Sequence, residues 1–126
     1  MKLLFGVAAA AVVLAAAVPA GAHHSYSMFD RTKNLQLSGV VQAFGWTNPH
    51  SYIEIVAPNA KGVPEKWGVE CTSPAVLARA GWRSSTLKAG DKVTVTIHPL
   101  SSGELGGSFV SVQLSDGRLL TDKAIS

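Results

Sequence analysis

From Leu35 onward, apolar and polar residues alternate with a period of two. Leu35, Leu37, Gly39 and Val41 fall on one face, with Gln36, Ser38 and Gln42 opposite. That spacing predicts a half-buried strand, and a glycine inside it marks a bulge or sharp bend. Thr47-Asn48-Pro49 is a turn signal. Alternation resumes over 51–57, with Ile53 and Ile55 inward and Tyr52 and Glu54 outward. In a third strand, Trp67, Val69 and Cys71 share the inner face, opposite Lys66, Gly68 and Glu70. A fourth strand places Val93, Val95 and Ile97 inward and Thr94, Thr96 and His98 outward. A fifth, over 109–114, is expected to turn Val110, Val112 and Leu114 inward. Ser115-Asp116-Gly117 then leads into a short extension, Arg118-Leu119-Leu120.

One segment breaks the two-residue period. Ser73 is a natural N-cap, Pro74 suits the first helical position, 75–80 favour helix, and Gly81 is a natural stop. The segment is roughly two turns long and needs packing to persist. The order is therefore β-β-β-α-β-β. An all-β chain with one short helix between strands three and four predicts a small β-barrel of OB-fold type, with a plain β-sandwich as the alternative. A long first strand kinked at a glycine suits a strand that serves both halves of a barrel. The stretch 101–107 is Gly-rich and reads as a loose hairpin loop.

The first residues follow another grammar. Lys2 is a short basic start, 3–18 is apolar apart from Gly6, and Pro19 breaks the run. Ala20-Gly21-Ala22 supplies the small residues of a cleavage site. Residues 1–22 are thus expected to be a secretory signal peptide, with a retained membrane anchor as the alternative, and the protein to reside in the periplasm. The polar stretch 23–34 reads as an N-terminal arm, 35–120 as the barrel domain, and 121–126 as a frayed end. Removing the signal lowers the formal charge of +3 by one. So small an excess argues against nucleic acid as a partner. No stable membrane insertion is expected after processing. The single cysteine, Cys71, excludes an internal disulfide and, on an inward strand position, reads as a buried apolar filler.

Candidate chemistry centres on histidine. Cleavage after Ala22 makes His23 the first residue, and its α-amino group and imidazole can chelate one ion together. A third nitrogen from His24, His50 or His98 completes a T-shaped set suited to Cu(II). Cleavage after Ala20 instead starts the chain Gly21-Ala22-His23, whose amine, two amides and imidazole form a square-planar site, again for Cu(II) or Ni(II). Trp46-Thr47-Asn48-Pro49-His50 forms a second candidate, a constrained loop carrying an aromatic ring and a histidine. Trp46 and Asn48 read equally well as ligand-binding residues or as core and turn. His98 reads as a surface residue. Glu54 and Glu70 are outward carboxylates on different strands and read as solvated surface. No acid–base or nucleophile constellation is present, so an enzyme is not expected. Two functions follow as expectations: a copper-binding protein using His23, His24 and His50, or a metal-free binding module for an envelope protein or saccharide. The second requires an exposed aromatic or apolar patch beside the loop after the first strand, and burial of Trp46, Tyr52 and Trp82 together with no groove would count against it.

Several segments together carry a resemblance: Ala22-His23-His24-Ser25, Phe29-Asp30, Leu37-Ser38-Gly39-Val40-Val41, Trp46-Thr47-Asn48-Pro49-His50, Ser73-Pro74, Gly81-Trp82, Leu87-Lys88-Ala89-Gly90-Asp91-Lys92-Val93 and Asp116-Gly117-Arg118. The set resembles a family of small exported proteins of Gram-negative bacteria whose function is unknown. Its motif maps onto His23, His24, Trp46, Asn48, Pro49, His50, Trp82, Gly90 and Asp91. The resemblance implies export and a small β-rich domain, with no established activity, and it gives Cys71 no role.

Overall fold

The computed structural model describes residues 28–125. His23 and His24 lie outside them, as does the proposed signal peptide. Among the described residues there are six strands and one helix: β1 (Leu35–Gly45), β2 (Tyr52–Pro58), β3 (Pro64–Glu70), α1 (Pro74–Arg79), β4 (Lys92–Pro99), β5 (Gly106–Leu114) and β6 (Leu119–Leu120). They are ordered β3-β2-β1-β4-β5-β6, and a parallel pairing of β3 with β5 closes the first five into a barrel. The expected β-β-β-α-β-β barrel is therefore the observed fold.

β1 divides its length between two partners. Residues 35–40 pair with β4 and residues 40–45 with β2. Gly39 sits at the crossover, where an added Cβ would lie 2.1 Å from the Val56 carbonyl oxygen. Only a residue without a side chain lets the two backbones approach this closely. The register slips between Val41 and Ala43, leaving Gln42 as the extra residue. A bulge shifts the alternation by one, so the inward phase passes from Leu37 and Val41 to Phe44 and Trp46, which pack against the core. Leu35, expected inward, stands partly exposed at the rim.

A second slip, between Thr96 and Ile97, leaves Val110 as the extra residue on β5. This corrects the expected inner face of the fifth strand. Phe109 and Val112 are buried, while Val110 is only half-buried. The 101–107 stretch also needs correcting. Gly106 and Gly107 are buried strand residues, and they pair with Gly68 and Val69 to form the seam of the barrel. An added Cβ at Gly107 would lie 2.5 Å from the His98 carbonyl oxygen, so close packing selects glycine here. Reading the glycines as loop residues mistook a packing requirement for flexibility.

The helix follows its sequence signals. The Ser73 hydroxyl accepts from the Val76 N–H (3.4 Å), and Pro74 occupies the first turn. At the far end, Gly81 (φ +91°) donates to the Ala78 carbonyl and Trp82 to that of Leu77, each at 3.0 Å. This is a Schellman ending. It turns Leu77 and Trp82 together into the core, where both are buried. The Trp82 indole donates to the Thr121 carbonyl (2.9 Å) and contacts the Phe44 and Phe109 rings at 5.9 and 5.4 Å.

The described part of the arm lies along the end of β4. Phe29 bridges Leu100, Asp30 N–H donates to the Pro99 carbonyl, and Ser101 N–H donates to that of Met28. The Asp30 carboxylate accepts from the Thr32 hydroxyl and N–H and lies 3.6 Å from Lys33, contacts that hold its pKa below the usual carboxylate value. No helix among the described residues is long and apolar enough to cross a membrane.

Candidate functional site

The β1–β2 loop carries His50, and an irregularity in the neighbouring chain fixes it. Cys71 N–H donates to the Ser51 carbonyl (2.8 Å), but Ser51 N–H donates to Thr72 rather than Cys71 (3.0 Å). Two residues, Cys71 and Thr72, thus face one, Ser51, as in a β-bulge. The bulge leaves the Cys71 carbonyl free of the ladder, and His50 Nδ1 lies 3.2 Å from it. A carbonyl only accepts, so Nδ1 is the nitrogen that donates in this contact, and Nε2 takes no part in it. The His50 side chain is 54 % exposed, and Glu70 Oε1 stands 3.7 Å from the same Nδ1. The Thr47 hydroxyl closes the loop by donating to the His50 carbonyl (2.9 Å). The Asn48–Pro49 peptide within the loop is cis.

The other candidates fall in different places. Trp46 is half-buried, edge-on to Phe44 with centroids 5.9 Å apart, and belongs to the margin of the core. Asn48 is exposed at the loop tip. His98 is half-buried, and its Nδ1 lies 2.9 Å from the Lys33 carbonyl, which again leaves Nε2 open. The structure does not bring His98 and His50 together. Ser108 on β5 is in register with His98 on one side and Glu70 on the other, so a strand separates the two histidines. Among the described residues, no group of three or more His, Cys, Asp or Glu is placed to hold a metal ion. A shallow open hollow of about 360 Å³ lies over Gly39, Val93 and Leu114, away from His50.

Cys71 is buried, as its strand position requires. Burial pushes its thiol from 9.0 up to about 12, with the Asp122 and Glu70 carboxylates adding to the shift. The native state therefore keeps its proton where an unfolded chain has released it. The stabilisation from this effect is full below pH 9 and is lost as pH rises towards 12. Urea midpoints measured from pH 8 to 11 are expected to fall more steeply for the native sequence than for Cys71→Ala. Parallel slopes would contradict the burial of the thiol.

Sequence reasoning set aside the outward carboxylates Glu54 and Glu70, and left the exposure of Trp46, Tyr52 and Trp82 to the structure. Tyr52 is 42 % exposed and is the exposed aromatic beside the β1–β2 loop, whereas Trp82 is 2 % exposed. Tyr52, Glu54 and Glu70 all follow from the period-two pattern, but that pattern does not reveal what their side chains rest on.

The family model for a family of unknown function, DUF6152, matches residues 10–109. The chain belongs to that family. The DUF6152 match includes His23, His24, Trp46, Asn48, His50 and Cys71, and it ends inside β5. No curated protein and no solved structure matches the chain.

Proposed function

We propose that this DUF6152 member is an exported, periplasmic, non-catalytic copper-binding barrel. Its donors are the α-amino group and imidazole of His23 in the processed chain, the imidazole of His24, and Nε2 of His50. The observation that carries this reading is the Cys71–Thr72 bulge. It supplies a carbonyl outside the ladder and commits His50 Nδ1 to it. An imidazole whose one nitrogen donates to a backbone carbonyl, with the other free, is the oriented form in which histidine ligates metals. His50 is also exposed enough for an ion to reach it. The sequence adds two histidines beside a cleavage signal, so processing would create an amine next to an imidazole. Nitrogen donors of this kind favour Cu(II).

The test begins with N-terminal mass analysis of the exported protein. The processed sample is then titrated with Cu(II), following the d–d absorption and the EPR spectrum. Tight binding is expected, weakened at least ~10-fold by His50→Ala. Affinity no better than that of a generic His-containing peptide, and unchanged in His50→Ala, would dismiss the proposal.

A further inference from the structure

We propose that the helix-bearing end of the barrel docks on an anionic phospholipid surface, through exposed cations accompanied by two protruding apolar side chains. The small overall charge of the chain hides an uneven distribution. β1, β3 and β5 run towards this end, and β2 and β4 start from it. The segments 71–92 and 115–125 lie there and carry six cations, Arg79, Arg83, Lys88, Lys92, Arg118 and Lys123, against three carboxylates. The remaining described residues carry four cations against five carboxylates. Glu70 ends β3 here too, but it faces His50 on the side of the β1–β2 loop.

Contacts between the two segments gather these cations into one region. Thr86, Asp91 and Lys92 share a hollow of about 160 Å³ with Ser115, Asp116 and Arg118. A turn ties Arg83 to Thr86, whose hydroxyl accepts from the Arg83 N–H (2.7 Å). The last described residues fold back over the exit of α1. The Trp82 indole donates to the Thr121 carbonyl, and a Cβ added at Gly81 would lie 3.1 Å from Ile125 Cδ1. The chain around Lys123 therefore passes the chain between Arg79 and Arg83. All six cations are exposed. Arg118 is the only one of them in an ion pair among the described residues, with Asp116. Asp91 instead accepts from the Lys88 N–H. Elsewhere on the barrel, Lys33 and Lys66 are paired with Asp30 and Glu54.

Two apolar side chains select the kind of partner. Leu119, which follows Arg118, is 64 % exposed, and Ile125, just beyond Lys123, is 77 % exposed. No other large hydrophobic residue among those described is as exposed. A layer of phosphate headgroups attracts exposed cations, each of which contributes roughly fivefold in affinity. Apolar side chains among the cations gain by entering the layer beneath the headgroups. A folded acidic partner would instead call for apolar residues gathered at the centre of a close-packed patch. Here each apolar residue accompanies a cation in the chain, Arg118 or Lys123. The inference does not rest on the copper reading, because it uses neither a metal nor a histidine.

The test sediments the metal-free processed protein with vesicles of phosphatidylglycerol or of phosphatidylcholine, and measures its binding to soluble polyglutamate alongside. Binding to phosphatidylglycerol alone is expected, weakening as ionic strength rises. Lys123→Gln should lower the affinity ~5-fold, and Arg83→Gln together with Lys123→Gln ~25-fold. Leu119→Ser together with Ile125→Ser should lower it at least ~10-fold. All four positions are exposed, so the unfolding curves of these variants should match that of the native sequence. Lys61→Gln removes the same charge from the opposite end, between β2 and β3, and should leave binding within ~2-fold of native. His50→Ala should leave it unchanged, which separates this surface from the copper site. Equal binding to phosphatidylcholine, or equal or tighter binding to polyglutamate, would overturn the proposal. So would a loss in Lys61→Gln as large as that in Lys123→Gln, or unchanged binding in the Leu119 and Ile125 double variant.

Discussion

Gly39→Val is expected to cost more than ~3 kcal/mol, a large share of the stability of a domain of this size. The added Cβ would lie 2.1 Å from the Val56 carbonyl oxygen and 2.9 Å from the Ala57 Cα, and both obstacles are backbone. No rotamer relieves that contact. β1 and β2 must separate at the point where β1 passes from one half of the barrel to the other. Thermal unfolding followed by circular dichroism should show a midpoint at least ~12 °C lower than native, or no cooperative transition. Gly68→Val supplies the internal comparison, since it adds the same side chain where nothing stands within 4 Å. Equal losses in the two variants would mean that the close approach at Gly39 is wrong.

Trp82→Ala is expected to destabilise the protein by ~3–5 kcal/mol. The residue is 2 % exposed, is followed in space by the Phe44 and Phe109 rings, and donates its indole N–H to the Thr121 carbonyl. Truncation removes the ring that links the end of α1 to β1, β5 and the segment after β6. Trp82→Phe retains most of the apolar volume and loses the indole donor, so it should cost only ~1–2 kcal/mol. Urea denaturation of both variants checks the ordering. A Phe variant as unstable as the Ala variant would show that the hydrogen bond, not the ring packing, dominates at this position.

The barrel was readable in the sequence because most of its strands keep one phase throughout. Ile53 and Ile55, or Val93, Val95 and Ile97, declare their inner face by alternation alone, and all are buried. The helix was equally plain, since Ser73, Pro74 and Gly81 are local signals answered by local hydrogen bonds. The strands that reverse phase were harder. Nothing near Gln42 or Val110 announces an extra residue, because a bulge is decided by the register of the partner strand. Gly106 and Gly107 were misread for a similar reason: a glycine chosen for a tight approach looks the same in sequence as one chosen for a turn. In the candidate site, the exposure of His50 could be anticipated from its loop. Its anchoring could not, since the Cys71 carbonyl becomes available only through a bulge far along the chain. The role of Tyr52 as a cover over Gly45 was hidden in the same way, because it depends on which strand lies beneath the ring.

The β3–β5 seam has a kinetic consequence. It consists of three parallel residue pairs, Gly68 with Gly106, Val69 with Gly107 and Glu70 with Ser108, joining segments that are distant in sequence. Every other ladder among the described residues joins strands antiparallel. The β1–β4 ladder spans a longer separation but is held by six pairs, whereas the seam closes its loop for three parallel pairs only and repays that entropy least, which places refolding of this largely non-local topology on the millisecond-to-second scale. By the same logic, transient opening of the native molecule should begin there, and seam amides should take up deuterium before those shared by β1 and β4.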